Sequence, residues 1–329
     1  MITAYIEWGT NDIMAAVNRR LFLGVTAGGA LAEAAQNAPI PIIDTHIHLY
    51  DPTRPQGVPW PPKDGKVPYR RTLPEDYRRV AKPHGIVGAI EVECSPWLED
   101  NQWVLDVAEK DTIMVGMVGN LEPGKPDFRK HLARFAKNPL YRGIRYGYLW
   151  GRKVSDELPK PEFIDGLKAM ADAGLGLDSF GPHQLAGEIL RIKDKVPNLR
   201  VVIDHLPSLE PLKDAAARAK WEGELRELGK RPQVYAKVSE VLREKGGRVA
   251  YDLNSYRATI DMMWDAFGPD RLIYGSDWPN SEQVGNYTQV LSVVKEYFTA
   301  KGRDAAEKFF WKNSIGAYRW VKREASQPG

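Results

Sequence analysis

Ile42-Ile43-Asp44-Thr45-His46-Ile47-His48-Leu49 is the stretch from which the rest of the chain can be read. Apolar residues lead into two histidines at i and i+2, and on a β-strand that spacing turns both imidazoles to one face. Two imidazoles side by side at a strand end can chelate a divalent cation. Taken alone, the pair is more simply a satisfied strand-end polar residue with an incidental neighbour, so its meaning depends on the rest of the chain. That remainder is regular. From Pro41 onward, short apolar runs alternate with longer amphipathic patterns, as in a parallel sheet with crossover helices. Strands are expected at 41–48, 86–94, 113–120, 142–147, 175–180, 200–206, 234–239 and 271–277. Helices are expected near 74–82, 97–110, 127–137, 162–173, 184–195, 212–229, 256–267 and 287–300, with a closing amphipathic helix over 308–318. Eight strand and helix pairs specify an α/β fold, a closed (β/α)8 TIM barrel rather than an open doubly wound sheet.

A barrel keeps its chemistry at the C-terminal ends of its strands, and polar groups stand at each of those ends. They are His46 and His48, Glu91 and Glu93, Asn120, Arg145, Asp178 followed by His183, His205, Lys237, and Asp277 in Tyr274-Gly275-Ser276-Asp277-Trp278-Pro279. Each has a plainer role available: a helix N-cap for Asp277, a strand-end hydrogen bond for His205, an ion pair with Glu91 or Glu93 for Arg145. Their recurrence at one end of successive strands makes them a convergent cluster. Tyr148 and Trp150, in Tyr148-Leu149-Trp150-Gly151-Arg152, supply an aromatic wall beside it. The proline-rich loop 49–73, with Trp60, Tyr69, Arg70 and Arg71, is long enough to act as a lid or to be a stiff surface loop. In the loop 243–256, Arg243, Lys245 and Arg248 read as solvated basic side chains.

The 329 residues, 43% hydrophobic and 10% aromatic, suffice for one large core. With a net charge of only +3 and both signs interspersed, no basic field speaks for nucleic acid or a membrane surface. A small, neutral or weakly anionic substrate is the expected partner, and oligomeric state is not encoded legibly. The one cysteine, Cys94, excludes an intramolecular disulfide framework and a cysteine-rich zinc site. Near the N-terminus, Asn18-Arg19-Arg20-Leu21-Phe22-Leu23-Gly24 begins an apolar run to Ala32, followed by Ala34. That order reads as a twin-arginine-type export signal with a translation start at Met14, placing the mature protein in the periplasm or outside, and in the cytoplasm if the signal is unused. The run is too short for a permanent membrane anchor. The chain is thus divided into an N-terminal extension 1–39, a barrel 40–321 and a tail 322–329.

Asp44-Thr45-His46-Ile47-His48, Val202-Ile203-Asp204-His205, Tyr274-Gly275-Ser276-Asp277-Trp278-Pro279 and Asn313-Ser314-Ile315-Gly316-Ala317-Tyr318 occur in that order. In them the chain resembles the amidohydrolase superfamily, specifically its amidohydrolase-related branch of metal-dependent TIM-barrel hydrolases, near sugar lactonases and pyrone-dicarboxylate lactonase. The resemblance implies hydrolysis of a small lactone, with Asp277 as general base and His205 and Arg145 polarising the carbonyl and binding substrate oxygens. It implies one divalent metal, zinc or manganese, on His46, His48 and Asp277, with Glu93, Asp178 or His183 as an added ligand. Some lactonases of the branch need no metal, so a purely protonic site is the alternative. Substrate contacts are expected from Arg145, Glu93, Asp178, His183, Tyr148, Trp150 and Lys237. Two departures matter: Leu175-Gly176-Leu177-Asp178-Ser179-Phe180 ends without the histidine common in metal-bound relatives, and Arg145 stands where binuclear relatives carry a bridging lysine, so a binuclear centre is not expected. A nonoxidative decarboxylase of the same superfamily is the first rival, disfavoured by the missing histidine. A noncatalytic sugar-acid-binding barrel is the second, disfavoured by the intact His46, His48, His205 and Asp277.

Overall fold

In the computed structural model, which describes residues 38–329, every expected apolar run is a strand. The strands are β1 (Ile42–Ile47), β2 (Ile86–Val92), β3 (Met114–Gly119), β4 (Tyr141–Arg145), β5 (Gly176–Ser179), β6 (Arg200–Ile203), β7 (Val234–Val238) and β8 (Leu272–Tyr274). They pair in parallel and in sequence order. The ring closes where Asp277 N donates to the His46 carbonyl at 2.8 Å and His48 N to the Trp278 carbonyl at 2.8 Å, with Ile47 bridging Trp278. Both faces of such a sheet are covered, so the strands are buried along almost their whole length rather than alternating between buried and exposed residues.

Helices α1 (Pro74–Ala81), α2 (Asp100–Ala108), α3 (Phe128–Phe135), α4 (Pro161–Asp172), α5 (Leu185–Lys195), α6 (Ala215–Lys230), α7 (Arg257–Phe267) and α8 (Tyr287–Ala300) follow the eight strands. A large apolar cluster fills the layer between these helices and the sheet. A smaller one gathers Ile43, Ile90, Val92, Val115, Val118, Val202 and Ile273 from strand after strand, together with Tyr318, and so lines the barrel. The closing segment runs helically through Arg303–Glu307, a π-turn over Lys308–Lys312 and Asn313–Tyr318. It brings Tyr318 beneath the barrel, where its hydroxyl donates to Asp178 Oδ2 at 2.6 Å.

Residues 322–329 pack as part of the barrel unit. Arg323 Nη1 donates to the carbonyls of Ala108, Asp111 and Met114 at 2.7, 2.9 and 3.0 Å. The buried Gln327 amide donates to Val87 and Thr112 carbonyls at 3.0 and 2.9 Å. These bonds tie the tail to backbone oxygens of β2, of the end of α2 and of the segment that runs into the start of β3. The loop after β7 contains a hairpin, Glu244–Lys245 with Arg248–Val249. Its turn is Gly246-Gly247 at φ +58° and +76°, a conformation that suits two glycines. Residues 1–37, which carry the expected signal and the Met14 start, lie outside the described residues.

Candidate active site

The site begins with the seam between β1 and β8. Asp44 is fully buried and acts as its pin: Oδ2 accepts from Tyr77 and Tyr287 hydroxyls at 2.8 and 2.9 Å, and Oδ1 from Ser276 N at 2.8 Å. The acid of the Asp-x-His-x-His motif therefore holds the strands that present the histidines, and is itself fully buried. Gly275 completes the seam, because a Cβ there would meet His46 Cβ at 2.8 Å and Lys237 Cδ at 3.1 Å. Beyond it the backbone of Asp277 turns into the left-handed region, as it does at His205, Glu240 and Trp150, with φ of 60°, 53°, 49° and 57°. These four are most of the non-glycine residues with positive φ among the described residues, and all four stand at the barrel mouth. Such backbone costs energy and persists where surrounding structure over-determines it, commonly at functional sites.

His48 has a defined tautomer. Its Nδ1 lies 2.7 Å from the Val92 carbonyl, which can only accept, so Nδ1 carries the proton and Nε2 faces Asp277 Oδ1 at 3.1 Å. Asp277 Oδ2 accepts from Asn280 Nδ2, which also donates to Glu240 Oε1 at 3.2 Å. His46 is wholly buried, with Nε2 3.7 Å from the same Asp277 oxygen and without any hydrogen-bond partner. Burial first, and the neighbouring Lys237 charge next, hold its pKa well below the ordinary histidine value. His46 is therefore neutral, and its 3.6 Å approach to Asp204 is a long polar contact, not an ion pair.

Beneath these groups lies a buried charge cluster. Lys237 Nζ sits 3.0 Å from Asp178 Oδ2, 2.9 Å from Asp204 Oδ1 and 3.1 Å from His46 Nδ1. Asp204 also meets Arg145 Nε at 3.0 Å. The Asp204 oxygens lack aligned hydrogen-bond donors, so these contacts are Coulombic more than directional. Burial raises the Asp204 pKa, but the Lys237 and Arg145 charges, with the polar contact from His46, outweigh it and hold it well below the usual range. In Asp178 burial wins over Lys237 and brings the pKa up to about 6. Arg145 Nη2 donates to His205 Nε2 at 3.2 Å, and His205 Nδ1 meets Ser239 Oγ at 2.8 Å. Burial lowers the His205 pKa to about 4, so it is a neutral ring that orients Arg145.

Above this floor opens a cavity of ≈ 340 Å³, within the range that accommodates a small ligand. His48, Glu93, Arg145, Tyr148, Trp150, His205 and Asp277 all line it, as the sequence suggested. Glu93 accepts from the Trp150 indole N–H at 3.1 Å, and burial raises its pKa to about 7. Three expected substrate contacts are displaced. Asp178 and Lys237 are fully buried below the floor and neutralise each other there. His183 lies on the helical side, bonding the Glu210 carbonyl at 2.8 Å and packing edge-on to Trp221. Arg145 pairs with Asp204, not with Glu91 or Glu93. Glu91 is buried with neither carboxylate oxygen bonded, and burial, with Glu93 nearby, raises its pKa well above normal.

The lining also includes Trp60, Phe180, Glu240 and Asn280, which the sequence did not single out as site residues. Trp60 descends from the loop 49–73 to meet His48 edge-on with ring centroids 5.3 Å apart, so this loop does cover part of the mouth. Of these lining residues, Trp60 was readable through the lid expectation for its loop; Asp204, which the site also uses, was readable as an acid inside the apolar run Val201–Leu206.

His46, His48 and Asp277 offer ligand atoms within 4.8 Å of one another. The orphaned, buried His46 Nε2 and the carbonyl-anchored His48 Nε2 are suited to a divalent ion. Imidazole and carboxylate do not distinguish zinc from manganese.

A family model described as amidohydrolase matches residues 43–320. An L-fucono-1,5-lactonase of Burkholderia ambifaria is 29% identical over 281 residues, covering 84% of this chain and 95% of that protein. An amidohydrolase from Burkholderia multivorans, solved with zinc bound, superposes with a TM-score of 0.74 at 21% identity, covering 85% of this chain and 99% of that one. A putative 2-pyrone-4,6-dicarboxylic acid hydrolase from Pseudomonas putida superposes with a TM-score of 0.66 at 20% identity, over 85% of this chain and 98% of that one.

Proposed function

The chain belongs to the amidohydrolase family, and we propose that it is a hydrolase opening the ring of a small sugar-acid lactone. The observation that carries this reading is that the Asp277 carboxylate and the Arg145 guanidinium open onto one cavity walled by Trp60, Tyr148, Trp150 and Phe180. Aromatic faces suit the C–H faces of a sugar ring, and the two charged groups suit water activation and carbonyl polarisation. The lactonase similarity over most of the chain supports the same substrate class.

Among the described residues, Asp277 is the cavity carboxylate held against both His46 and His48. It takes a proton from the attacking water as the new C–O bond forms at the carbonyl carbon. Arg145, oriented by His205 and Asp204, donates to the oxygen on which negative charge develops. When the ring C–O bond breaks, Asp277 returns the proton to the departing alkoxide. A divalent metal held by His46, His48 and Asp277 would supply Lewis acidity and lower the pKa of bound water; the Burkholderia multivorans relative was solved with zinc bound.

The test is a panel of aldonolactones and aromatic acids followed by acid release and by carbon dioxide release. Acid release from lactones that falls about 100- to 10,000-fold in Asp277→Asn, the span of a lost general base, is the expected result. Carbon dioxide from the aromatic acids, or full lactone turnover in that variant, refutes it.

A further inference from the structure

The catalytic cavity does not end at Asp277. Glu240, Asp277 and Asn280 form a shared wall, and on its far side lies a second cavity of ≈ 210 Å³. Asn280 is the partition: its amide donates to both carboxylates, while its Oδ1 accepts from Gln283 at 2.8 Å. Arg243 lines this second cavity as well. Unlike Lys245 and Arg248 on the exposed hairpin, Arg243 is only partly exposed. Its guanidinium makes no ion pair among the described residues, and its Nη2 is buried without a hydrogen-bond partner. A buried donor left unmet is costly and marks a place where a partner is missing. This differs from Arg145, whose charge Asp204 already neutralises.

We propose that Glu240, Asn280 and Arg243 form a subsite for the hydroxylated exocyclic arm of the substrate, continuous with the pocket that holds the lactone ring. The inference rests on the lactone reading of that pocket. A hydroxyl is the matching group because it donates to Glu240 and accepts from Arg243 at once. A carboxylate would be attracted by Arg243 but repelled by Glu240 and Asp277 on the same wall. The structure thereby favours polyhydroxylated lactones with a carbon chain beyond the ring over dicarboxylated ones.

The experiment compares a hexono-1,4-lactone, which carries a two-carbon hydroxylated arm, with erythrono-1,4-lactone, which has none. The quantity read is the ratio of their kcat/KM values in the native protein and in Arg243→Met. Loss of a charged hydrogen bond to the arm lowers that ratio about tenfold or more, with the change in KM. A ratio within about twofold of the native one overturns the subsite, whether both activities fall or neither does. If the native protein hydrolyses no lactone, the lactone reading fails but the subsite is still tested, by calorimetric binding of hexonate and erythronate. A native preference for hexonate that Arg243→Met abolishes supports it, and equal preference in both proteins, or no binding of either acid, refutes it.

Discussion

Replacement of Lys237 by methionine is the perturbation that reaches furthest into this molecule. The ammonium is wholly buried at 3.0 Å from Asp178 and 2.9 Å from Asp204. Methionine keeps much of the volume and removes the charge. Asp204 retains Arg145 at 3.0 Å, whereas Asp178 is left with the Tyr318 hydroxyl alone at 2.6 Å. Removing one partner of a buried ion pair costs about 3–5 kcal/mol. Asp178 avoids part of that cost by keeping its proton, which makes the deficit depend on pH. Its folded pKa, about 6 with Lys237 present, already exceeds the ordinary 3.8. A group raised in this way stabilises the fold below its unfolded pKa and loses that contribution as pH rises through the folded pKa. In the native protein the loss is complete just above the folded value. In Lys237→Met the folded pKa moves higher still, and the loss continues at about 1.4 kcal/mol per pH unit for each proton retained. Urea unfolding at about pH 5, 6.5 and 8 should therefore show the two proteins closest in acid and diverging towards alkali. A deficit that is the same at all three pH values, or below about 1 kcal/mol at the highest, refutes the buried-pair account.

Glu93, with its pKa of about 7, changes charge within the working range beside Arg145 and the Trp150 indole. KM for the lactone should show an inflection near that pH which is absent from Glu93→Gln, while His205, titrating near 4, adds none above about pH 5. A profile identical in both proteins contradicts the assignment. Exhaustive chelation, followed by metal analysis and re-addition of zinc or manganese, should abolish and then restore lactone hydrolysis. Full activity in metal-free protein leaves the same residues working as a protonic site.

The barrel was legible because its signal is repetitive: eight apolar runs, each followed by an amphipathic pattern, admit few arrangements. His46, His48, Arg145, His205 and Asp277 were legible for a related reason. In this fold a strand end is a location, so a polar residue there is already placed within the mouth. Depth was not legible. Asp178 and Lys237 also lie near strand ends, yet they sit below the floor, because the Lys237 ammonium is drawn between the buried Asp178 and Asp204 carboxylates. Nor was His183, which the chain carries past the mouth to Trp221.

The linear order of residues by itself determined the strand count, the closure and the end of the barrel at which chemistry collects. These follow from local periodicity and chain connectivity. Only the tertiary structure decided which carboxylates face solvent and which face a buried lysine, and that Asn280 joins Asp277 to Glu240. It also decided that Arg243, one basic residue among three in its loop, lines a cavity and leaves its Nη2 buried without a hydrogen-bond partner. Those outcomes depend on where loops from different strands meet, and on the dielectric that packing creates around each charge. No stretch of sequence contains either quantity.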